Sequence, residues 1–311
     1  MKFLFLKLFF IPVLLWSSAS IAGEGVNFSP EESAKFGLHQ DKVTVEIPGL
    51  KRTYSFVWIS DLHVNSEEIS EVAPGSRKRM SERRDEVFNH PVTGLKPAAL
   101  WAELPEMLNR SGADAVFFGG DICDTGSAAN LQLLKEGFKK IKIPFIFLRE
   151  DHDFTPWRLA SKDMSRQQKI SREIDGHPAL PFIEYDDLLI VGLDNSVRSI
   201  KPEVFAEFEK LYAKGKPVIL LMHVPVFPGR ETPGMTLKHS TWLGNKKPHG
   251  KMKDFLKLIT TPDGPVKIVF CGHNHEVWDG MLAPGVRQHR FGAASAGNIG
   301  VILVKPEKQE Q

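Results

Sequence analysis

Cysteine is scarce. Cys123 and Cys271 are the only two in 311 residues, which excludes a scaffold built on disulfides and leaves a single bridge between them open. Each lies two positions from a candidate ligand, Asp121 or His273, and burial as a small apolar side chain is the plainer role. An excess of charge of one sign is lacking as well. Forty basic residues face 38 acidic ones, a formal charge of +2, too little to hold a polyanion by counterion release, so nucleic acid is not expected as the main partner. Long biased tracts are missing, and 42% hydrophobic with 25% charged residues are ordinary globular proportions. There is no internal repeat and no interdomain linker, so one large α/β domain accommodates the length.

The one long apolar run, Phe3 to Trp16, is shorter than the ~20 residues that span a bilayer. Lys2 and Lys7 flank its start and Ser20-Ile21-Ala22 follow it, the pattern of a secretory signal peptide over 1–22 with a mature start near Gly23. The protein is therefore expected to be exported, periplasmic or secreted, with no transmembrane span in the mature chain. An uncleaved N-terminal anchor is the second reading. Beyond the peptide, an N-terminal extension over 23–41 is expected to lead into the main domain over 42–305, with a polar tail at 306–311.

Residues 42–48 and 53–60 are rich in β-branched and aromatic side chains and flank a Gly-Leu-Lys-Arg connection, as a hairpin would. Leu100, Leu104, Met107 and Leu108 share a helical face between Pro97 and Asn109, before Gly112. Apolar strands are predicted at Ala115–Phe118, Pro144–Leu148, Leu188–Leu193, Val218–Met222 and Ile268–Phe270, with a helix at Leu131–Phe138. Short stretches around Met281, Phe291 and Ile299–Val304 predict a closing antiparallel meander. Strands alternating with helices predict an α/β class with mixed sheets, in which ligands collect beyond the strand ends.

Polar residues stand where the apolar runs stop. Asp61-Leu62-His63 follows FVWIS, Gly119-Gly120-Asp121 follows AVFF, Asp151-His152-Asp153 follows FIFLRE, His223-Val224-Pro225 follows VILLM, and Gly272-His273-Asn274-His275 follows KIVFC. Mixed carboxylate and imidazole donors suit Zn, Mn or Fe, whereas oxygen alone would suit Mg or Ca. In an extended segment, D-x-H and H-x-H would turn both polar side chains to one side. Gly120 and Gly272 would permit sharp turns.

In this order the five blocks resemble the calcineurin-like metallophosphoesterases, whose pattern runs D-x-H, G-D, G-N-H-D/E, H and G-H-x-H, over roughly residues 53–304. The resemblance implies a layered α/β/β/α sandwich of two mixed sheets and a phosphoester substrate, either mono- or diester. It also implies two transition-metal ions (Mn, Zn or Fe), one held by Asp61, His63 and His275, the other by Asp151, His223 and His273, with Asp121 bridging. A metal-bridging hydroxide would attack in line, His152 would act on the developing charge or the leaving oxygen, and Asp153 would orient the His152 ring.

One block departs from the pattern. Glu150-Asp151 stands where Gly-Asn is usual, which adds an anionic ligand and lowers the positive charge offered to phosphate. This departure keeps a second reading open, an exported metal- and phosphate-binding module without turnover. Purple-acid-phosphatase-like chains carry a Tyr shortly after the G-D block, and here the chain reads Asp121-Ile122-Cys123-Asp124-Thr125. The basic stretch Arg77 to Arg84 carries interspersed acids and reads either as a solvated face or as a collar for anionic groups of a substrate. Trp157 and Arg158 are placed either in packing or against substrate. His39, His90, His177, His239, His249 and His289 are expected to be structural or exposed.

Overall fold

The computed structural model describes residues 25–154, 158–161, 163, 180–195, 200–228 and 250–307. The expected signal peptide, Trp157, His177, His239, His249 and residues 308–311 of the tail lie outside the described residues.

Two mixed sheets carry the chain. The first contains β1 (His39–Ile47), β2 (Tyr54–Ile59), β3 (Ala115–Phe118), β4 (Phe145–Phe147) and the last strand, β11 (Asn298–Pro306), in the order β1-β11-β2-β3-β4. The second contains β5 (Phe182–Glu184), β6 (Leu189–Leu193), β7 (Val218–Met222), β8 (Val266–Cys271), β9 (Trp278–Ala283) and β10 (Val286–Arg290), in the order β5-β6-β7-β8-β10-β9.

Period-two alternation divides each strand between two cores. Phe56, Trp58, Phe117, Ile219, Leu221, Ile268 and Phe270 pack between the sheets. Val57, Ile59, Val116 and Phe118 face the helices Pro97–Arg110 and Ala128–Phe138. On the far side, Leu220, Met222 and Val269 meet the helices Pro202–Tyr212 and Lys251–Ile259 through Phe205, Phe208 and Phe255. The result is the α/β/β/α sandwich, and runs apolar on both faces are what a twice-covered strand requires. Among the described residues no helix is long and apolar enough to cross a membrane.

Two expectations change. The strands at 39–47 and 54–59 do not form a hairpin: β11 lies between them, parallel to β1 and antiparallel to β2. The closing meander reduces to the β9–β10 hairpin, because β10 pairs in parallel with β8 and β11 crosses to the other sheet. In the N-terminal extension, Val26, Phe28 and Phe36 join the helix-covered core. Both cysteines are buried and free, Cys123 beside the carbonyls of Thr125 and Asp153, Cys271 beside that of His289.

Candidate metal centre

Parallel pairing of β2 with β3 and β3 with β4, and of β6 with β7 and β7 with β8, brings their C-terminal ends to one edge of each sheet. The edges are tied together where the His273 N–H donates to both oxygens of Asp61, at 3.1 Å each.

The polar loops are not extended. Six non-glycine residues among those described have left-handed φ, and five of them are Asp61, His63, Asp121, His273 and His275, between 53° and 77°. Such backbone costs of order 1–3 kcal/mol per residue and persists where surrounding packing imposes it, which is typical of functional sites. Asp61, His63 and Asp121 bury their side chains, His275 stays exposed, and Leu62, fully buried, anchors the first loop in the core. Gly120, at φ +95°, makes the expected turn. Gly272 serves close approach instead: a Cβ there would lie 2.5 Å from Asp61 Oδ2 and Ser60 Oγ.

Two donor triads result, Asp61–His63–His275 and Asp121–His223–His273, each with its atoms within 4.8 Å of one another. His63 Nε2 lies 3.3 Å from His275 Nε2, His275 Nε2 3.5 Å from Asp61 Oδ1, His223 Nε2 3.1 Å from His273 Nδ1 and 3.3 Å from Asp121 Oδ2. Atoms bound ~2.1 Å from one ion in octahedral or tetrahedral geometry stand roughly 3.0–3.4 Å apart, so these spacings fit a cation in each triad. Asp121 Oδ1 is buried without a hydrogen-bond partner. His223 Nδ1 is fixed on the carbonyl of Gly119 at 2.6 Å, leaving Nε2 toward Asp121. Burial works against charging Asp121, but the His223 imidazolium beside it outweighs burial and keeps the carboxyl well below its usual range.

Asp151 stands apart from the second triad. It is exposed, and its carboxylate gathers with Asp121 and His152. Glu150 is buried, its Oε2 without a partner; burial pushes this carboxyl well above the ordinary range, and Asp121, Asp194 and Asp151 add to the rise against His223.

Asp153 does not orient His152. Its carboxylate accepts from the backbone N–H groups of Asp121, Ile122, Cys123 and Glu150 at 2.8–3.0 Å, which clamps two ligand loops to each other. The ring partner is Asp124, which sequence reasoning passed over: His152 Nδ1 lies 3.0 Å from its carbonyl and 3.3 Å from its Oδ1. Burial opposes protonation of His152, but Asp124 outweighs it and holds the imidazole up at about 9. Cations nearby would oppose that rise. Asp124 also accepts from Nε and Nη2 of Arg83 and from the amide of Asn65, and lies 3.4 Å from His63 Nδ1. Those partners occupy the Asp124 carboxylate, while His63 Nδ1, buried, has no hydrogen-bond partner of its own. The signal was available, since Asp124 lies three positions after Asp121 in the same loop. Asn195 was also missed; its Oδ1 accepts from the N–H groups of His223 and Val224.

A cavity of about 540 Å³ opens over the triads. The basic stretch does not form a collar. Arg84 pairs with Asp85 and Arg79 with Glu82, and of that stretch only Arg83 reaches the cavity. Arg158 is not among the lining residues; its carbonyl accepts from Ala73. His90 caps a turn and His289 bridges Asp41 and Asp279, both structural.

A family model described as calcineurin-like phosphoesterase matches residues 54–277, a span that contains every residue of both triads. A search of curated proteins finds no match. Among solved structures, a dimetal phosphatase from Danio rerio aligns at 12% identity and TM-score 0.47, covering 78% of this chain and 88% of that one. A purple acid phosphatase from yellow lupin aligns at 15% and 0.42 over 82% and 44%. A phosphopantetheinyl hydrolase from Mycobacterium tuberculosis aligns at 14% and 0.42 over 77% and 89%. Likeness this distant carries no argument about chemistry; the family-model match does.

Proposed function

The chain belongs to the calcineurin-like phosphoesterase family and is a metal-dependent phosphoric ester hydrolase, and on that premise we propose that it cleaves a phosphomonoester or phosphodiester over the two triads. The observation that carries the reading is the spacing of 3.1–3.5 Å between donor atoms from four separate strand ends. Asp61, His63 and His275 would hold one ion, and Asp121, His223 and His273 the other, with Asp121 shared and Asp151 closing the open side. Ions held there would make water acidic enough to supply hydroxide at neutral pH and would withdraw charge from the phosphoryl oxygens. The mixed nitrogen and oxygen donors favour Mn, Zn or Fe.

The protein's own groups supply the rest. His152 is anchored through Nδ1 on the Asp124 carbonyl, and its Nε2 would hold a proton for the leaving oxygen. Asp124 keeps that proton on the ring, and Arg83 keeps Asp124 ionised. Asp153 holds the Asp121 and Glu150 loops in register. We also propose export, supported by the Lys-flanked apolar run and the small residues at Ser20 and Ala22; a chain recovered intact from the cytoplasmic fraction refutes it. Hydrolysis of aryl phosphate mono- and diesters, measured on chelated protein before and after addition of Mn, Zn or Fe, tests the main reading. Turnover is expected only with metal, and its absence with two metals bound contradicts it.

A further inference from the structure

Resting on the phosphoesterase reading, we infer that the ester group the protein releases is uncharged and largely apolar. Four features of the cavity wall carry this. Val87, Phe88 and Pro91 from the insertion after His63, with Ala293 and Ala296 from the segment before β11, line the opening over the triads. Phe88 is fixed there, its ring stacked on His63 at 4.1 Å with 10° between the planes and the Arg83 guanidinium 4.5 Å away. Val87, by contrast, is 48% exposed, an apolar side chain left on the rim.

The charge on the wall points the same way. Apart from the histidines of the centre, Arg83 is the only cationic side chain among the described lining residues, and its charge is matched by Asp124, which accepts from its Nε and Nη2. A second phosphate or a carboxylate on the substrate, remote from the scissile bond, would therefore meet no cation on these walls. With the phosphoryl group over Asp121 and His152, the ester substituent is left with the apolar walls.

Phenyl phosphates carrying a carboxylate, a carboxamide or a methyl ester at the ring position furthest from the phosphoryl group test the inference on the full metal-loaded chain. Each kcat/KM is divided by the uncatalysed rate of the same ester, which removes differences in leaving-group reactivity. The matching benzylphosphonates, which cannot be hydrolysed, are titrated by calorimetry. The two neutral esters are expected to exceed the carboxylate by roughly tenfold, with the same order in phosphonate binding. Val87→Lys, on the exposed rim, should raise the carboxylate relative to the neutral esters by at least about threefold. Equal or reversed selectivity in the parent overturns the inference and leaves the phosphoesterase reading intact. Neutral preference in phosphonate binding without turnover of any ester supports the pocket and overturns hydrolysis. Neither turnover nor binding, with two metals present, overturns both.

Discussion

Replacing Asp124 by Asn separates two roles of one buried carboxylate. The shape is kept, but the negative charge among Arg83, His63 and His152 is lost. Arg83, whose side chain is 12% exposed, then lacks its counter-ion. Breaking a buried pair by removing one partner costs roughly 3–5 kcal/mol, and the amide oxygen that remains as an acceptor brings the expected loss toward the lower end. His152 keeps its hydrogen bond to the carbonyl of residue 124, so the ring stays in place. What it loses is the charge that favours its protonated form. Because Asp124 raises the imidazole pKa, its removal lowers it, and the protonated fraction falls away at lower pH. An opposite charge at this range is worth ~1–3 pKa units, so the alkaline limb of kcat should move down by at least about one unit. Urea unfolding and kcat against pH, both on metal-saturated protein, read the two effects separately. An unchanged alkaline limb in a folded variant refutes the proton-holding role, and an unchanged unfolding midpoint refutes the buried pair.

Asp151→Asn removes the carboxylate that gathers with Asp121 and His152; metal should bind more weakly, while vanadate at metal saturation should inhibit more tightly, and no change in either quantity contradicts the charge argument. His152→Ala should keep its metal and lose ~10²–10⁴-fold in rate, whereas loss of metal would make it a ligand. Gly272→Ala places a methyl 2.5 Å from Asp61 Oδ2 and so displaces that carboxylate; metal affinity should fall by about 10–100-fold, and an affinity equal to the parent's would mean that the close approach is not needed.

The strands were legible because each apolar run is buried on both faces, and the site was legible because each run ends on Asp or His. What the chain pairs with at long range was not. β11 reads as an apolar strand whether it closes a meander or crosses to separate β1 from β2, since period and composition are the same in both. The left-handed backbone of Asp61, His63, Asp121, His273 and His275 was hidden for a different reason: Asp and His carry no propensity signal comparable to that of glycine, and the fold imposes the strain. The partner of His152 was sought next to it at Asp153, while in space the ring meets Asp124 from another strand end and Asp153 turns to the backbone. Neighbours in sequence inside a one-turn helix point in different directions.

The account stands on Asp121 being shared by two ions. Metal per chain, measured by elemental analysis after dialysis for the parent and for Asp121→Ala, alongside aryl phosphate hydrolysis, tests that most directly. Two ions per parent chain are expected, with metal content and turnover falling together in a variant that still unfolds cooperatively. Two ions retained with near-parental turnover in Asp121→Ala would contradict the shared centre.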